Sequence, residues 1–197
     1  MVTAFDPMST VSASSCMPRL AVSSDAVAVL ASGANVRCCL DELLARGLLA
    51  DALAVVARTL PKRYVVAWAC ECFKGVLAGQ PVSSDVDRAG LALAQQWLLE
   101  PSEAHRRAAQ EFAEAGELAS PGAWVAASAG WNGGSLAPRG YDAILPPDDL
   151  PAEAAVAALR LAASHSSDYA GAINAFITRA VQIFGPPLQA AEKEVRQ

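Results

Sequence analysis

At 197 residues, 53% hydrophobic and 18% charged, the chain has room for one domain and enough apolar surface for a sizeable core. Its formal net charge of -5 excludes the basic surface that a phosphate backbone selects, so nucleic acid is not an expected partner. A positive mean hydropathy of +0.28 raises the question of a membrane span. The longest charge-free stretch, residues 118–138, is broken by Pro121, Gly122, Gly130, Gly133 and Gly134 and would not stay helical across a bilayer.

Residues 1–20 are rich in Ser, Thr, Met and Pro, with no apolar period, and read as a flexible arm. Asp6 and Pro7 come early and no basic residue precedes the apolar part, which makes a poor secretory signal. A soluble cytoplasmic protein is the expectation. Alanine-rich stretches such as EAAVAALRLAA, residues 153–163, favour helix and close helix approach. β-branched and aromatic residues do not alternate in short runs, so strands are poorly supported. The fold class that follows is all-α, a compact bundle or short solenoid-like array of seven to nine helices. They form a single domain over residues 21–187, with a polar tail at 188–197.

In chain order, a short helix is predicted over residues 25–32, ending at Gly33. The next runs from Val36 to Gly47, a suitable residue just past a helix end. A third covers 48–59, with Leu49, Leu53 and Val56 on one side. Pro61 suits a first turn and opens a helix over 61–78, PKRYVVAWACECFKGVLA. That helix is apolar on nearly every face between Tyr64 and Phe73, which predicts a place in the middle of a bundle, with Tyr64, Trp68, Cys72 and Phe73 packing on several neighbours.

Ser84 and Asp87 resemble a capping box for a helix over 85–99. Ser102 caps the next helix, which runs to Gly116. Ala104, Ala108, Phe112 and Ala115 form its narrow apolar stripe, and Glu103, Arg106, Arg107, Glu111 and Glu114 its wet face. Ser120 and Pro121 open a helix carrying Trp124, Ala127 and Trp131. The prolines of ILPPDDLP preset an extended segment, and Asp148 or Asp149 favours the start of a helix to about Ser164. Ser167 and Asp168 open the last helix. Tyr169, Ile173, Phe176, Ile177, Ala180 and Phe184 are its expected buried stripe, and Gly185-Pro186-Pro187 ends it.

The segment WNGGSLAPRG, residues 131–140, has the residues of a working loop. A phosphate site would need a strand before it and a helix after it, whereas a helix precedes it and a proline-rich segment follows. A Ser135 nucleophile would need a nearby base, and the histidines, His105 and His165, sit on a helix surface and at a helix end. A turn explains more. Trp131 closes the helix on the core, Gly133 and Gly134 allow left-handed backbone, and Leu136 returns to the core. The five cysteines, Cys16, Cys38, Cys39, Cys70 and Cys72, lack the spacing of a zinc site or a disulfide framework. They read as small apolar residues. No catalytic residue, cofactor or metal site is expected.

The segments LPKRYVVAWAC, WLLEPSEAHRRAAQ, GWNGGSLAP and LPPDDLPAEAAVAALRLAA occur in that order. Together they resemble a bacterial family of unknown function whose members carry Leu-Pro-Lys/Arg-Arg…Trp-Ala-Cys and Gly-Gly-Ser-Leu-Ala-Pro segments. The resemblance covers roughly residues 40–184 and implies no catalytic residue. It implies a gene neighbourhood near type VI secretion genes. The family often has a second Trp just before the Ala-Cys pair, where Ala67-Trp68 stands here.

The expected function is a non-catalytic helical protein–protein interaction module, an accessory or adaptor of type VI secretion or its effectors. Lys62, Arg63, Arg106 and Arg107 are its candidate partner-binding residues. Trp68, Trp131, Gly133, Gly134 and Ser135 are its structural motif. The partner would be a secretion component, an effector or a toxin, with the oligomeric state open. One alternative is a toxin-binding immunity protein. Another is an enzyme with a polar site around Arg63, Glu71 and Ser135, in which Lys62, Asn132 and Arg139 converge near Trp68.

Overall fold

The computed structural model describes residues 8, 11–13, 22–32, 34–79 and 84–184. Among the described residues the protein is all-α, with nine helices and one isolated bridge between Ser12 and Asn35. The helices are α1 (Ser24–Leu30), α2 (Val36–Ala45), α3 (Leu49–Thr59), α4 (Lys62–Ala78), α5 (Asp85–Leu99), α6 (Glu103–Ala115), α7 (Pro121–Gly130), α8 (Leu150–Ser164) and α9 (Tyr169–Phe184). No described helix is long and apolar enough to cross a membrane. The chain divides into two compact units, Met1–Thr59 with Ile173–Gln197, and Leu60–Ala172, where composition suggests one domain over residues 21–187.

Local chemistry sets most helix ends. The side chains of Ser23, Asn35, Ser102 and Ser120 accept from the amides of Ala26, Cys38, His105 and Ala123, each satisfying one of a helix's free donors. Gly47, at φ +71, closes α2. Leu48 N–H donates to Leu43 O at 2.9 Å and Gly47 N–H to Leu44 O at 3.0 Å, the two bonds of a Schellman end. The capping box expected at Ser84 does not form. Ser84 makes no side-chain cap bond, and Asp87 Oδ1 accepts instead from Gly122 N–H at 2.8 Å, placing a carboxylate at the N-terminus of α7.

In the first unit, Leu30, Val36, Leu43, Leu53, Val55, Val56, Ile173 and Ile177 are buried. Most of the expected arm and all of the tail lie outside the described residues. Within the arm, Met8 and Ala13 are buried, Ala13 N–H donates to Ala34 O, and Val36 N–H donates to Val11 O, both at 3.2 Å.

The second unit is a bundle built around α7, where nine of ten residues are buried. Helices α4, α5, α6 and α8 pack on it. The apolar run of α4 predicts that helix at the centre. Trp68 and Phe73 are indeed buried, but Tyr64 is 43% exposed. Size decides the matter. Seven of the ten residues of α7 are Gly, Ala or Ser, so four helices can reach it closely. A Cβ on Gly90 of α5 would collide with the Gly122 carbonyl, and one on Gly130 would lie 2.6 Å from Gln110 Cα. The buried Ser128 hydroxyl donates to Pro151 O at 2.8 Å and ties α7 to α8.

This contact reverses the usual sign of a helical Gly→Ala change. Propensity alone favours Ala by about 0.5–1 kcal/mol, while overpacking a core costs about 1–3 kcal/mol or more. Gly90→Ala should therefore lower the urea midpoint. Gly75→Ala, where an added Cβ meets nothing within 4 Å, should leave it unchanged or raise it.

Candidate functional site

The loop after α7 is held by three side chains of α6. Arg106, 3% exposed, donates from Nε to Glu103 Oε2 at 2.6 Å and from Nη2 to Glu103 Oε1 at 2.7 Å, the two-pronged geometry that suits a guanidinium on a carboxylate. Its remaining hydrogens reach Gln110 Oε1 at 2.9 Å, the Gly130 carbonyl, and Ser135 O at 3.0 Å. Arg107 donates to Glu103 Oε1 at 2.9 Å and to Ala137 O at 2.7 Å. Gln110 Nε2 donates to Leu136 O and to Glu114 Oε1, both at 2.8 Å. The carbonyls of residues 130, 135, 136 and 137 are thus all taken by α6. Glu103 is held well below the usual carboxylate range, at about 2, by its hydrogen bonds from Arg106 above all.

The loop is shaped to admit this clamp. Gly133 and Gly134 have φ of +100° and +65°, a region that L side chains avoid. A Cβ on Gly134 would sit 2.6 Å from Arg106 Nε and 2.9 Å from Glu103 Oε2. Ser135 Oγ accepts from Ala137 N–H at 3.1 Å and Ile144 N–H at 3.0 Å. Trp131 caps α7 and meets Trp124 edge-on, with ring centroids 6.1 Å apart. Leu136 is half-buried, and Ala137 is the loop residue that enters the core.

These contacts correct the reading of α6. Its buried face is Arg106, Ala109, Gln110 and Ala113, whereas Ala104 and Ala115 are exposed. Arg106 is therefore not part of a wet face, and Arg107 is mostly covered, with a side chain 13% exposed. Long polar side chains go inward here because loop carbonyls wait for them, a partner that helical periodicity does not reveal. Gln110 was missed for the same reason, and its only trace in the sequence is the run of Glu103, Arg106, Arg107, Gln110 and Glu114 at three- and four-residue spacings on one face.

At the other candidate corner, Lys62 Nζ pairs with Asp148 Oδ1 at 2.5 Å, and Arg63 Nη2 donates to Leu98 O at 2.6 Å. Asn132 Nδ2 donates to Lys62 O at 3.0 Å, so the loop does reach this corner. Trp68 lies in the core, Glu71 is half-buried and Arg139 is exposed. The hydroxyl of Ser135 serves two backbone amides, and the guanidinium of Arg63 serves the end of α5.

Neither of two cavities among the described residues gathers these side chains. One, of about 430 Å³, is lined by Gly75, Val76, Gly79, His165, Ser166 and Ser167 among others. The other, of about 250 Å³, lies in the first unit and includes Cys38, Cys39, Glu42 and Arg46. Arg63, Glu71 and Ser135 line neither. Among the described residues no three His, Cys, Asp or Glu side chains gather as metal ligands. Cys39, Cys70 and Cys72 are buried, but Cys38 is exposed, unlike the small core residue expected there. Burial, and then the Glu71 charge, push the Cys70 thiol up to about 12, which suppresses its reactivity at neutral pH.

A family model matches residues 39–184, from within α2 to the last residue of α9. The chain belongs to DUF6931, a family of unknown function. The match takes in α6, the glycine loop and every residue of the clamp. No curated protein and no solved structure matches the chain.

Two expectations follow from the clamp. Arg106→Ala leaves Gly130 O, Ser135 O and Glu103 without their buried donor and should cost about 3–5 kcal/mol in denaturant unfolding. Arg107→Ala should lose less, about 1–3 kcal/mol. The second concerns pH. A folded-state pKa depressed to about 2 from 4.5 means that Glu103 contributes its stabilisation fully above 4.5. That contribution is lost as pH falls toward 2. In melting curves recorded from pH 6 to pH 2, Glu103→Gln should be less stable than the parent at pH 6, with the gap closing as pH drops.

Proposed function

We propose that this chain is a non-catalytic helical protein–protein interaction module, an accessory or adaptor of type VI secretion or its effectors. The observation that carries this reading is an apolar residue left in solvent at a fixed basic corner. Leu99, the last residue of α5, is 87% exposed. The bond from Arg63 to Leu98 O holds that helix end against the first turn of α4, where the exposed Tyr64 follows Arg63 directly. Tyr and Arg are residue types enriched at the energetic centres of interfaces, and Leu99 adds exposed apolar area next to the Leu98 carbonyl that Arg63 holds. Lys62 and Arg63 supply charge to select among partners. Arg106 and Arg107, whose donors lie on loop carbonyls, leave the set of partner-facing residues.

The secretion context is supported by the gene neighbourhood that the family resemblance implies. Leu99→Glu should leave the helical circular dichroism spectrum and melting temperature unchanged. It should cut recovery of the native partner at least tenfold when the tagged chain is isolated from its own cells. Undiminished recovery by the folded variant would remove this corner as the docking surface. A secreted toxin as the recovered partner would favour the immunity role.

A further inference from the structure

The segment between the glycine loop and α8 leaves outward backbone groups without a protein partner among the described residues, and we propose that it pairs with the same segment of a second copy of this chain. Residues 142–147 run without turn or bend, and Pro146 and Pro147 hold the residues before them extended. Ile144 turns both its backbone groups to one side. Its N–H donates to Ser135 Oγ at 3.0 Å, and its C=O accepts from Leu136 N–H at 2.7 Å. In an extended chain the backbone groups of successive residues face opposite sides. The N–H and C=O of Ala143 and of Leu145 therefore face outward, and among the described residues they meet no protein group. Tyr141, Ile144 and Leu145 are 76%, 60% and 73% exposed. A straight, apolar edge with unpaired amides is a template for another strand.

Self-pairing is favoured by the register. Antiparallel pairing about a two-fold axis through Ile144 sets Ile144 against Ile144 of the second copy. Ala143 then faces Leu145, and Leu145 faces Ala143, and each facing pair exchanges both of its backbone bonds, making four in all. The isoleucines meet at the close, non-hydrogen-bonded position, where branched side chains pack well. Asp142 falls across from Pro146, which carries no charge. Beyond the paired residues the same register carries the exposed Arg139 to the end where Asp148 of the second copy is paired with its own Lys62, so no like charges are set against each other there. The proline pair, which lacks N–H groups, ends the ladder, and the inward edge, already held by Ser135 and Leu136, limits pairing to two chains. This inference stands on the 139–148 segment and is independent of the Leu99 corner.

A small interface of this kind is weak, so it is read by sedimentation of the full chain from about 10 µM to about 1 mM. A concentration-dependent dimer is expected. Ala143→Pro deletes one outward N–H and leaves the bonds of Ile144 in place, so it should raise the dimer dissociation constant at least tenfold. Ala143→Val keeps the N–H and should not raise it. Ile144→Cys, in a Cys16→Ser and Cys38→Ser background, gives a check that does not depend on the proline variant folding. The facing Cα atoms would be about 4.5 Å apart, within reach of a disulfide. Mild oxidation should then yield a covalent dimer at least tenfold faster than for Asp142→Cys. A chain monomeric up to 1 mM would overturn the proposal. So would a dimer indifferent to Ala143→Pro, or equal crosslinking at positions 142 and 144.

Discussion

A buried guanidinium on the carbonyls of a glycine loop is the interaction on which the second unit depends. A helix ends with carbonyls that have no partner inside it, and α7 ends in the interior, where water does not serve them. Arg106 reaches the carbonyl of Gly130, the last residue of α7, and Ser135 O further on, and its positive charge suits the negative end of that helix. Glu103 balances the charge, and Arg107 and Gln110 complete the set. A buried charge with every hydrogen directed is tolerable, and the same charge with one partner removed is not. Gly134 belongs to this arrangement because a side chain there would occupy the space of Arg106. The segments EAHRRAAQ and GWNGGSLAP are thus two sides of one hydrogen-bonded unit.

The clamp works because α7 is thin. Its Gly, Ala and Ser residues bring four neighbouring helices to near-backbone contact, and Asp87 and Ser128 add polar ties at its start and toward α8. Glycine within a helix has an entropic cost. Here it is offset by packing that a Cβ would prevent at Gly90, Gly122 and Gly130. The large side chains of the neighbouring helices, Trp68, Phe73 and Trp97, belong to the surrounding core. They fill what the small helix leaves open.

With so many polar groups of the loop directed inward, the surface of this unit is defined by what stays outside. Leu99 and Tyr64 lie at the ends of helices pinned by Lys62 and Arg63, and the 142–147 segment is fastened at Ile144 and bounded by prolines. Both are exposed apolar features on firmly tied backbone, which lowers the ordering cost of an encounter. The Lys62–Asp148 ion pair ties the first turn of α4 to the end of the 142–147 segment.

Much of the fold was legible from local chemistry. Alanine-rich periodic runs, the Ser102 and Ser120 caps, Pro121 at a helix start and Gly47 at a helix end act within a few residues of themselves, so the nine described helices were readable nearly to their ends. The positive φ of Gly133 and Gly134 was legible for the same reason. The candidate site was not. Arg106 and Gln110 carry the same local signal as any wet helix face, and only carbonyls some 20–30 positions away in the chain turn them inward. Asp87 reads as a capping residue until α7 brings Gly122 to it. The central place of α7 over the more hydrophobic α4, the exposure of Tyr64 and Leu99, and the division at Thr59 are likewise set by which surfaces meet. The sequence by itself determined where helices start and stop, because those energies are local. Tertiary structure decided which polar side chains are buried and which apolar ones are left in water, because those energies depend on partners distant in the chain.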